Sequence, residues 1–223
     1  MRPKKKLREE LKRIEEWYHS IIFLLEEQND SVIEMLILKN YKSIDKANIS
    51  EVKLNKRETL KRYLNDSTLI RLISSYEIFL IGNIELYYKY NIKFLQHQKK
   101  FLEISYGELS TYSSLDEIWI ELIQKECKAV RGLSYHRIKN YFKKKLNVLI
   151  AKDTNTPDKM EWFFDVRNII VHRLGKTDSY FKKKYNYSDK YVNICKNDIE
   201  EIMNLMKNNS IWIEAQMKSK EKT

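Results

Sequence analysis

An amphipathic pattern begins close to the N-terminus of the chain. Between residues 4 and 28, apolar side chains recur in alternating steps of four and three residues, which predicts a helix with a heptad-like seam. The seam consists of Leu7, Leu11, Ile14, Tyr18, Ile21 and Leu25. Two interpretations are open, because such a seam packs either against its own domain or against a second copy of the chain.

A less regular stretch follows this helix. Residues 32–38 form a short apolar segment that favours a second helix. Residues 40–56 show no clear period and are rich in Lys, Asn and Ser, which is typical of a connecting loop. We therefore predict an N-terminal helical extension over residues 1–56, which is a candidate for a dimer contact, and a helical domain over residues 57–223.

The next predicted helix is apolar over most of its circumference, so it should lie at the centre of the core. We expect Asp66 or Ser67 to cap its N-terminus. Its apolar positions are Leu69, Ile70, Leu72, Ile73, Tyr76, Phe79, Leu80, Ile84 and Tyr87.

Further helices are predicted downstream. The pair Ser114 and Glu117 forms a capping box ahead of an apolar run that ends at Gly132. Another helix should span residues 134–150, and Asn197 should cap the last one. The inward positions expected in the helix over 134–150 are Ile138, Tyr141, Phe142, Leu146 and Leu149. Together these patterns predict an all-α bundle of at least four long helices.

The segment over residues 156–175 has clear signals for both ends of a helix. Thr156 can cap its N-terminus, and Gly175 supplies the left-handed residue that often follows a C-terminus. One apolar stripe consists of Trp162, Val166, Ile169 and Ile170. At about 100° per residue, Asn168 and His172 lie one turn apart on the opposite face, and Arg167 lies at the edge of the stripe.

Lysines and aromatic residues alternate directly after this helix. Lys182, Lys183 and Lys184 are flanked by Tyr180 and Tyr185. Lysine contacts phosphate and aromatic rings stack on unpaired bases, which is the combination that single-stranded RNA requires. The alternative is a solvated loop whose aromatic side chains pack on the domain.

Composition limits the classes of function. The net charge of +11 favours a polyanion as partner, with RNA or DNA ahead of a membrane surface. The four glycines are isolated and form no phosphate-binding loop, which disfavours a nucleotide-binding enzyme. Two distant cysteines suggest neither a metal site nor a disulfide framework. Because no signal peptide or transmembrane segment is visible, we expect a cytoplasmic location.

Three residue types in the helix over 156–175 suit RNA cleavage. The 2′-OH of RNA is an internal nucleophile, so cleavage needs a base, an acid and positive charge on the phosphorane. His172 can exchange protons near neutral pH, and the guanidinium of Arg167 can hold two phosphate oxygens. The amide of Asn168 can orient the phosphate or the imidazole. No Asp, Glu and His cluster has metal-ligand spacing, so neither a metal nor another cofactor is expected.

Arg-Asn-x-x-x-His, which here is Arg167, Asn168 and His172, resembles the R-x4–6-H motif of nucleolytic members of the HEPN superfamily. The resemblance implies a HEPN-like helical bundle with metal-independent endoribonuclease activity of toxin or antiviral-defence type. It also implies a homodimer with a shared site and a cognate antitoxin or regulatory protein as partner. Glu77 is a candidate second-shell residue to Arg167, although a structural salt bridge or a surface position is the alternative.

Two other pairs in the chain have similar spacing. Arg13 and His19 lie in the N-terminal helix, whereas Arg131 and His136 lie on either side of Gly132 and should belong to two different helices. Only the motif of Arg167 combines the Asn with an uninterrupted amphipathic helix that has capping signals at both ends. Two alternatives to the nuclease remain, namely a non-catalytic HEPN-like module that binds RNA or a protein, and an unrelated helical interaction protein.

Overall fold

Helices dominate the part of the chain that the structure describes. This structure is a computed structural model that describes residues 2–26, 49–93, 105–151 and 156–220, with side chains over 2–26, 57–93, 105–151 and 159–220. No strand occurs in these ranges, and Lys176 and Tyr191 form an isolated antiparallel bridge. The predicted all-α fold class is therefore confirmed. The predicted helix over 32–38 lies outside the described residues.

The helices are numbered in chain order. They are α1 (Pro3–Glu26), α2 (Ile49–Tyr90), α3 (Tyr106–Leu109), α4 (Leu115–Val130), α5 (Tyr135–Tyr141), α6 (Thr156–Arg173), α7 (Ser179–Tyr185) and α8 (Lys196–Lys220). A π-helical segment, Phe142–Leu146, continues α5.

The chain divides into two compact units. The first unit contains Met1–Leu7, Tyr76–Glu161 and Leu205–Thr223, and the second contains Arg8–Ser75 and Trp162–Asn204. Each of the long helices α1, α2, α6 and α8 contributes residues to both units. The boundary predicted near residue 56 lies inside α2.

Helix α2 begins earlier than the sequence pattern indicates. Residues 49–56 already belong to it, so the predicted loop is wrong for this part of the chain. Asp66 and Ser67 lie in the interior of α2 and cap no helix, because Ser67 donates instead to the carbonyl of Leu64 at 2.9 Å. The predicted apolar positions are buried, apart from the half-buried Ile70. Helix α2 thus lies in the core as expected.

The seam of α1 is covered within the chain. Leu7, Leu11, Ile14 and Tyr18 are buried, and Ile22 replaces the half-buried Ile21 as the next inward residue. In the second unit, the hydroxyl of Tyr18 donates to Asn65 of α2 at 2.8 Å. Packing against its own domain therefore accounts for the larger part of the seam.

Hydrogen bonds between helices anchor the first unit. Lys4 pairs with Glu214 of α8, and the hydroxyl groups of Tyr88 and Tyr141 lie 2.8 Å apart. The helix expected over 134–150 ends early, because Asn147 adopts a left-handed conformation with φ of 51°. Leu149 is consequently exposed instead of inward, whereas its neighbours Val148 and Ile150 are buried.

Two predicted N-terminal caps differ in their outcome. Ser114 accepts from the backbone N–H of Glu117 at 3.4 Å, as expected for the cap of α4. The carboxylate of Glu117 accepts from the backbone N–H of Ser113 rather than from that of Ser114. The second hydrogen bond of the predicted capping box is therefore displaced by one residue. The prediction for Asn197 is wrong, because α8 begins at Lys196 and Asp198 accepts from the backbone N–H of Cys195 at 2.9 Å.

Candidate functional site

Helix α6 carries the Arg-Asn-His motif within the second unit. Its C-terminal half lies among apolar neighbours, since Phe163, Phe164, Val166, Ile169 and Ile170 are all buried. Trp162, expected in the stripe, is half-buried. The apolar surface is therefore wider than the predicted stripe, and it fixes the helix that presents the motif. The side chain of Thr156 lies outside the described residues, so its predicted role as a cap is not described.

The end of α6 is formed by two left-handed residues. Gly175 has φ of 81°, as the sequence predicts, and its N–H donates to the carbonyl of Ile169 at 3.2 Å. Leu174 also has a positive φ, of 52°, which is an uncommon conformation for a residue with a branched side chain. Leu174 is 86% exposed, so the turn leaves an apolar side chain in solvent directly after His172 and Arg173.

The three motif residues differ in their accessibility. His172 is exposed, Asn168 is half-buried, and Arg167 is half-buried with a fully buried Nε atom. Asn168 and His172 lie one turn apart on one side of α6. Arg167 lies about 140° around the helix from His172, and its neighbours one turn before and after it, Phe163 and Ile170, are buried. The backbone of one chain therefore directs Arg167 and His172 away from each other.

Helix α7 runs antiparallel to α6 beside this face. At its start, Asp178 caps α7 by accepting from the N–H of Phe181 at 2.7 Å, and it pairs with Arg173 at 3.0 Å. At its end, the ammonium of Lys184 and the hydroxyl of Tyr185 each donate to Asp165 at 2.8 Å. Because Asp165 and Arg173 lie two turns apart on α6, these contacts align the whole of α7 along it.

The predicted RNA-binding residues occupy α7, which is a helix and not a loop. Lys182 donates to the carbonyl of Ser188 at 2.8 Å, and Lys184 is engaged by Asp165. Lys183 and Tyr180 are exposed. Tyr185 is half-buried, and its ring centroid lies 4.8 Å from that of Phe181. Burial, followed by the hydrogen bond to Asp165, raises the pKa of Tyr185 well above its usual value. Tyr180, Lys183 and Lys184 are thus the exposed members of this set, and Asp165 engages the ammonium of Lys184.

The segment after α7 returns to the C-terminal end of α6. The N–H of Thr177 donates to the carbonyl of Lys190 at 3.0 Å, and the N–H of Val192 donates to the carbonyl of Gly175 at 2.9 Å. The hydroxyl of Thr177 reaches the carbonyls of Asp189 and Lys190. These bonds close the chain around α7 and place Tyr191 beside the end of α6.

A residue that the sequence did not single out lies at the same place. The guanidinium of Arg62, on α2, covers Gly175 so closely that an added Cβ would lie 3.2 Å from its Nη2 atom. Its central carbon lies 5.8 Å from the ring centroid of Tyr191. No local pattern connects residues 62 and 191, so the sequence offered no signal for this contact.

The other candidate residues lie elsewhere. Glu77 is half-buried on α2 and belongs to the first unit, so its predicted role beside Arg167 stays a prediction. Arg131 follows the last residue of α4, and His136 lies on α5, where its Nε2 atom is 2.8 Å from the amide nitrogen of Asn140. The two residues therefore share no helix, as predicted, although Arg131 lies just outside α4 rather than within it. Arg13 and His19 are exposed on α1.

Comparisons with known proteins identify no relative of this chain. No protein-family model, curated protein or solved structure matches the chain. Within the described ranges, no group of three or more His, Cys, Asp or Glu residues could hold a metal ion. None of the helices described here is long and apolar enough to cross a membrane.

Proposed function

We propose that the chain is a metal-independent endoribonuclease of toxin or antiviral-defence type, of the HEPN kind, acting in the cytoplasm. The observation that carries the proposal is the exposed His172 on a helix that is otherwise held among buried apolar side chains. An imidazole in this position is open to solvent and to a large substrate. The net charge of +11 and the lysines of α7 favour a polyanionic substrate.

Each motif residue has a distinct role in the proposed reaction. The 2′-oxygen attacks the adjacent phosphorus while an imidazole of His172 takes its proton, and the bond from phosphorus to the 5′-oxygen breaks. A protonated imidazole supplies the proton to the leaving 5′-oxygen. The guanidinium of Arg167 stabilises the charge of the phosphorane, and Asn168 orients the phosphate or the imidazole. The products are a 2′,3′-cyclic phosphate and a 5′-hydroxyl.

The test is incubation of the purified protein with total RNA in EDTA. Wild-type protein should cleave RNA, because no metal takes part, and His172→Ala should reduce the rate at least about 100-fold, the lower range for loss of a general acid or base. Arg167→Ala should have a similar effect. Cleavage is followed on denaturing gels, and the 2′,3′-cyclic ends are identified by mass spectrometry.

Matched histidine variants control for nonspecific damage. His19→Ala and His136→Ala remove imidazoles at two other exposed positions, so both should retain most of the activity. A folded His172→Ala protein that cleaves RNA like wild type would refute the proposal. Loss of activity in a folded His136→Ala protein would instead transfer the site to the pair of Arg131 and His136.

The burial of Arg167 favours one alternative. Because its Nε atom is fully buried, the side chain of Arg167 could serve to hold the fold. The chain would then be a non-catalytic HEPN-like module that binds RNA or a protein partner. Retained RNA binding without any cleavage under the same conditions would support this alternative.

A further inference from the structure

The C-terminal end of α6 carries a group of cationic and aromatic side chains beyond the motif. Arg62 and Tyr191 are exposed, and the ammonium of Lys190 lies 5.5 Å from the ring centroid of Tyr191. The guanidinium of Arg62 approaches the same ring at 5.8 Å. We infer that Arg62, Lys190 and Tyr191 form a binding site for an unpaired nucleotide of single-stranded RNA. This inference rests on the proposed function and names the form of RNA that it uses.

Backbone contacts on two sides hold Tyr191 in place. Its own backbone forms the bridge to Lys176, and its carbonyl accepts from the hydroxyl of Tyr187 at 3.2 Å. The next residue, Val192, donates to Gly175. Tyr191 as a whole nevertheless remains 44% exposed. A ring that is fixed at its backbone and open at its side loses little conformational freedom when a base stacks on it.

The guanidinium of Arg62 lies directly against Gly175 at the end of α6. A Cβ at residue 175 would lie 3.2 Å from the Nη2 atom of Arg62, so the guanidinium would have to shift by a few tenths of an ångström, and the positive φ of Gly175 separately favours glycine. The guanidinium is planar and always charged, and it can contact phosphate oxygens or stack on a base. The Asp66 carboxylate one turn along α2 interacts with this charge, since Arg62 lowers its pKa against the larger effect of burial.

The chemistry of the group selects an unpaired strand over a duplex. In a duplex the bases stack on each other, and a protein side chain reaches mainly phosphates and 2′-hydroxyls. A tyrosine ring flanked by two cations contributes little to such a surface. In a single strand, one base can stack on Tyr191 while the neighbouring phosphates contact Arg62 and Lys190. The site lies at the end of α6 that carries His172, three residues before Gly175, so it would hold substrate beside the motif.

Binding is measured by fluorescence anisotropy with a labelled 2′-O-methyl RNA, which lacks the nucleophile and stays intact. Tyr191→Ala should weaken binding of the single strand about tenfold, because the stacking surface is lost. Tyr191→Phe should bind within about twofold of wild type, since it keeps the ring. Arg62→Ala should weaken binding and reduce the salt slope by about 0.7, the value for one phosphate contact on a single strand. Binding of a duplex of equal length should change little in Tyr191→Ala.

Arg13→Ala is the charge-matched control, because Arg13 is exposed in the same unit, on α1. If Arg62→Ala and Tyr191→Ala bind the single strand as Arg13→Ala does, the inference is overturned. Should either alanine variant fail to fold, photo-crosslinking of a wild-type complex with 5-iodouridine RNA gives the answer. A crosslink in the peptide that contains Tyr191 supports the site, and crosslinks confined to other peptides refute it.

The outcomes separate this inference from the proposed function. A wild-type protein that binds the single strand through Tyr191 but never cleaves RNA would refute the nuclease and retain the site. A protein that cleaves RNA through His172 while the Arg62 and Tyr191 variants behave as the control would retain the nuclease and refute the site.

Discussion

Arg167 and His172 differ in how much of their chemistry is available to solvent. The histidine is exposed, whereas the arginine is half-buried and its Nε atom is fully buried. Replacing Arg167 therefore removes packing as well as charge. The melting temperature of Arg167→Ala is therefore measured beside its RNA cleavage. If cleavage is lost at an unchanged melting temperature, the charge of Arg167 is what cleavage needs. A lower melting temperature shows that packing has been lost as well.

A half-buried carboxylate on α2 provides a test of pH dependence. Burial raises the pKa of Asp66 from 3.8, and the charge of Arg62 offsets this only in part. Both folded and unfolded chains hold the proton at low pH. As the pH rises, the unfolded state ionises first, so stability falls through the interval between 3.8 and the raised folded pKa. Asp66→Asn should remove this loss.

We expect Asp66→Asn to raise the melting temperature at pH 7 by roughly 2 °C in a chain of this size and to have little effect near pH 3. Thermal unfolding followed by circular dichroism at both pH values measures the difference. Asp189→Asn is the control, because Asp189 is exposed. An equal gain at both pH values would show that charge burial is not the cause.

At the scale of elements, α6 and α7 form a unit that is linked at both ends. Arg173 with Asp178 joins one end, and Asp165 with Lys184 and Tyr185 joins the other. A helix of seven residues is too short to be stable alone, so these contacts and the burial of Phe181 maintain it. Lys182 and Lys184 of α7 therefore have structural roles that their sequence pattern did not reveal.

Removing Asp165 should release the C-terminal end of α7. Asp165→Ala deletes the acceptor of both Lys184 and Tyr185, which should destabilise the protein by about 1 kcal/mol. Amide exchange over residues 179–187 should increase more than exchange in α8. Asp189→Ala serves as the control, since the side chain of Asp189 is exposed and accepts from the adjacent Ser188. Unchanged exchange in α7 would mean that the burial of Phe181 and the contacts of Asp178 hold the helix without Asp165.

We expect the lysines of α7 to differ in role, with Lys183 contributing to RNA binding and Lys184 to stability. The triple replacement of Lys182, Lys183 and Lys184 by alanine should weaken RNA affinity and reduce its salt dependence. The structure refines this expectation, because Lys183→Ala should reduce the salt slope by about 0.7 with an unchanged melting temperature. Lys184→Ala should lower the melting temperature through the loss of its pair with Asp165. Affinity titrations at several salt concentrations decide, and an unchanged slope in the triple variant would assign α7 to a purely structural role.

At the scale of the whole molecule, the motif of one chain is incomplete for its proposed reaction. Cleavage uses an acid and a base on opposite sides of the phosphate, yet each chain offers one His172. Arg167 lies far around the helix from it. A two-fold axis beside α6 would bring a second motif into the same cleft. Val171 and Leu174 are exposed near His172 and supply apolar surface there, whereas the seam of α1 is already covered.

We therefore predict a homodimer with a shared site. Light scattering should give about twice the chain mass of 27.1 kDa. Mixing His172→Ala chains with Arg167→Ala chains should restore part of the activity, because each mixed dimer keeps one intact copy of each residue. Either variant mixed with itself is the control. A fully active monomer would exclude the shared site.

The sequence alone determined the features that depend on local pattern. Helical periodicity placed Leu72, Tyr76 and Phe79 in the core, because one apolar face must be buried whatever the neighbours are. The end of α6 at Gly175 followed from the freedom of glycine to adopt positive φ. Placing Arg167, Asn168 and His172 on one helix likewise required only the spacing along the chain.

The tertiary structure alone decided which charged side chains are engaged and which are available. Lys183 and Lys184 are adjacent in one run of lysines, yet Asp165 binds only Lys184 of the two because of where α7 lies on α6. The seam of α1 could not be assigned from its period, because packing within a domain and packing between chains require the same pattern. Arg62 reaches Gly175 across more than half of the chain, and such contacts arise from folding rather than from local propensity.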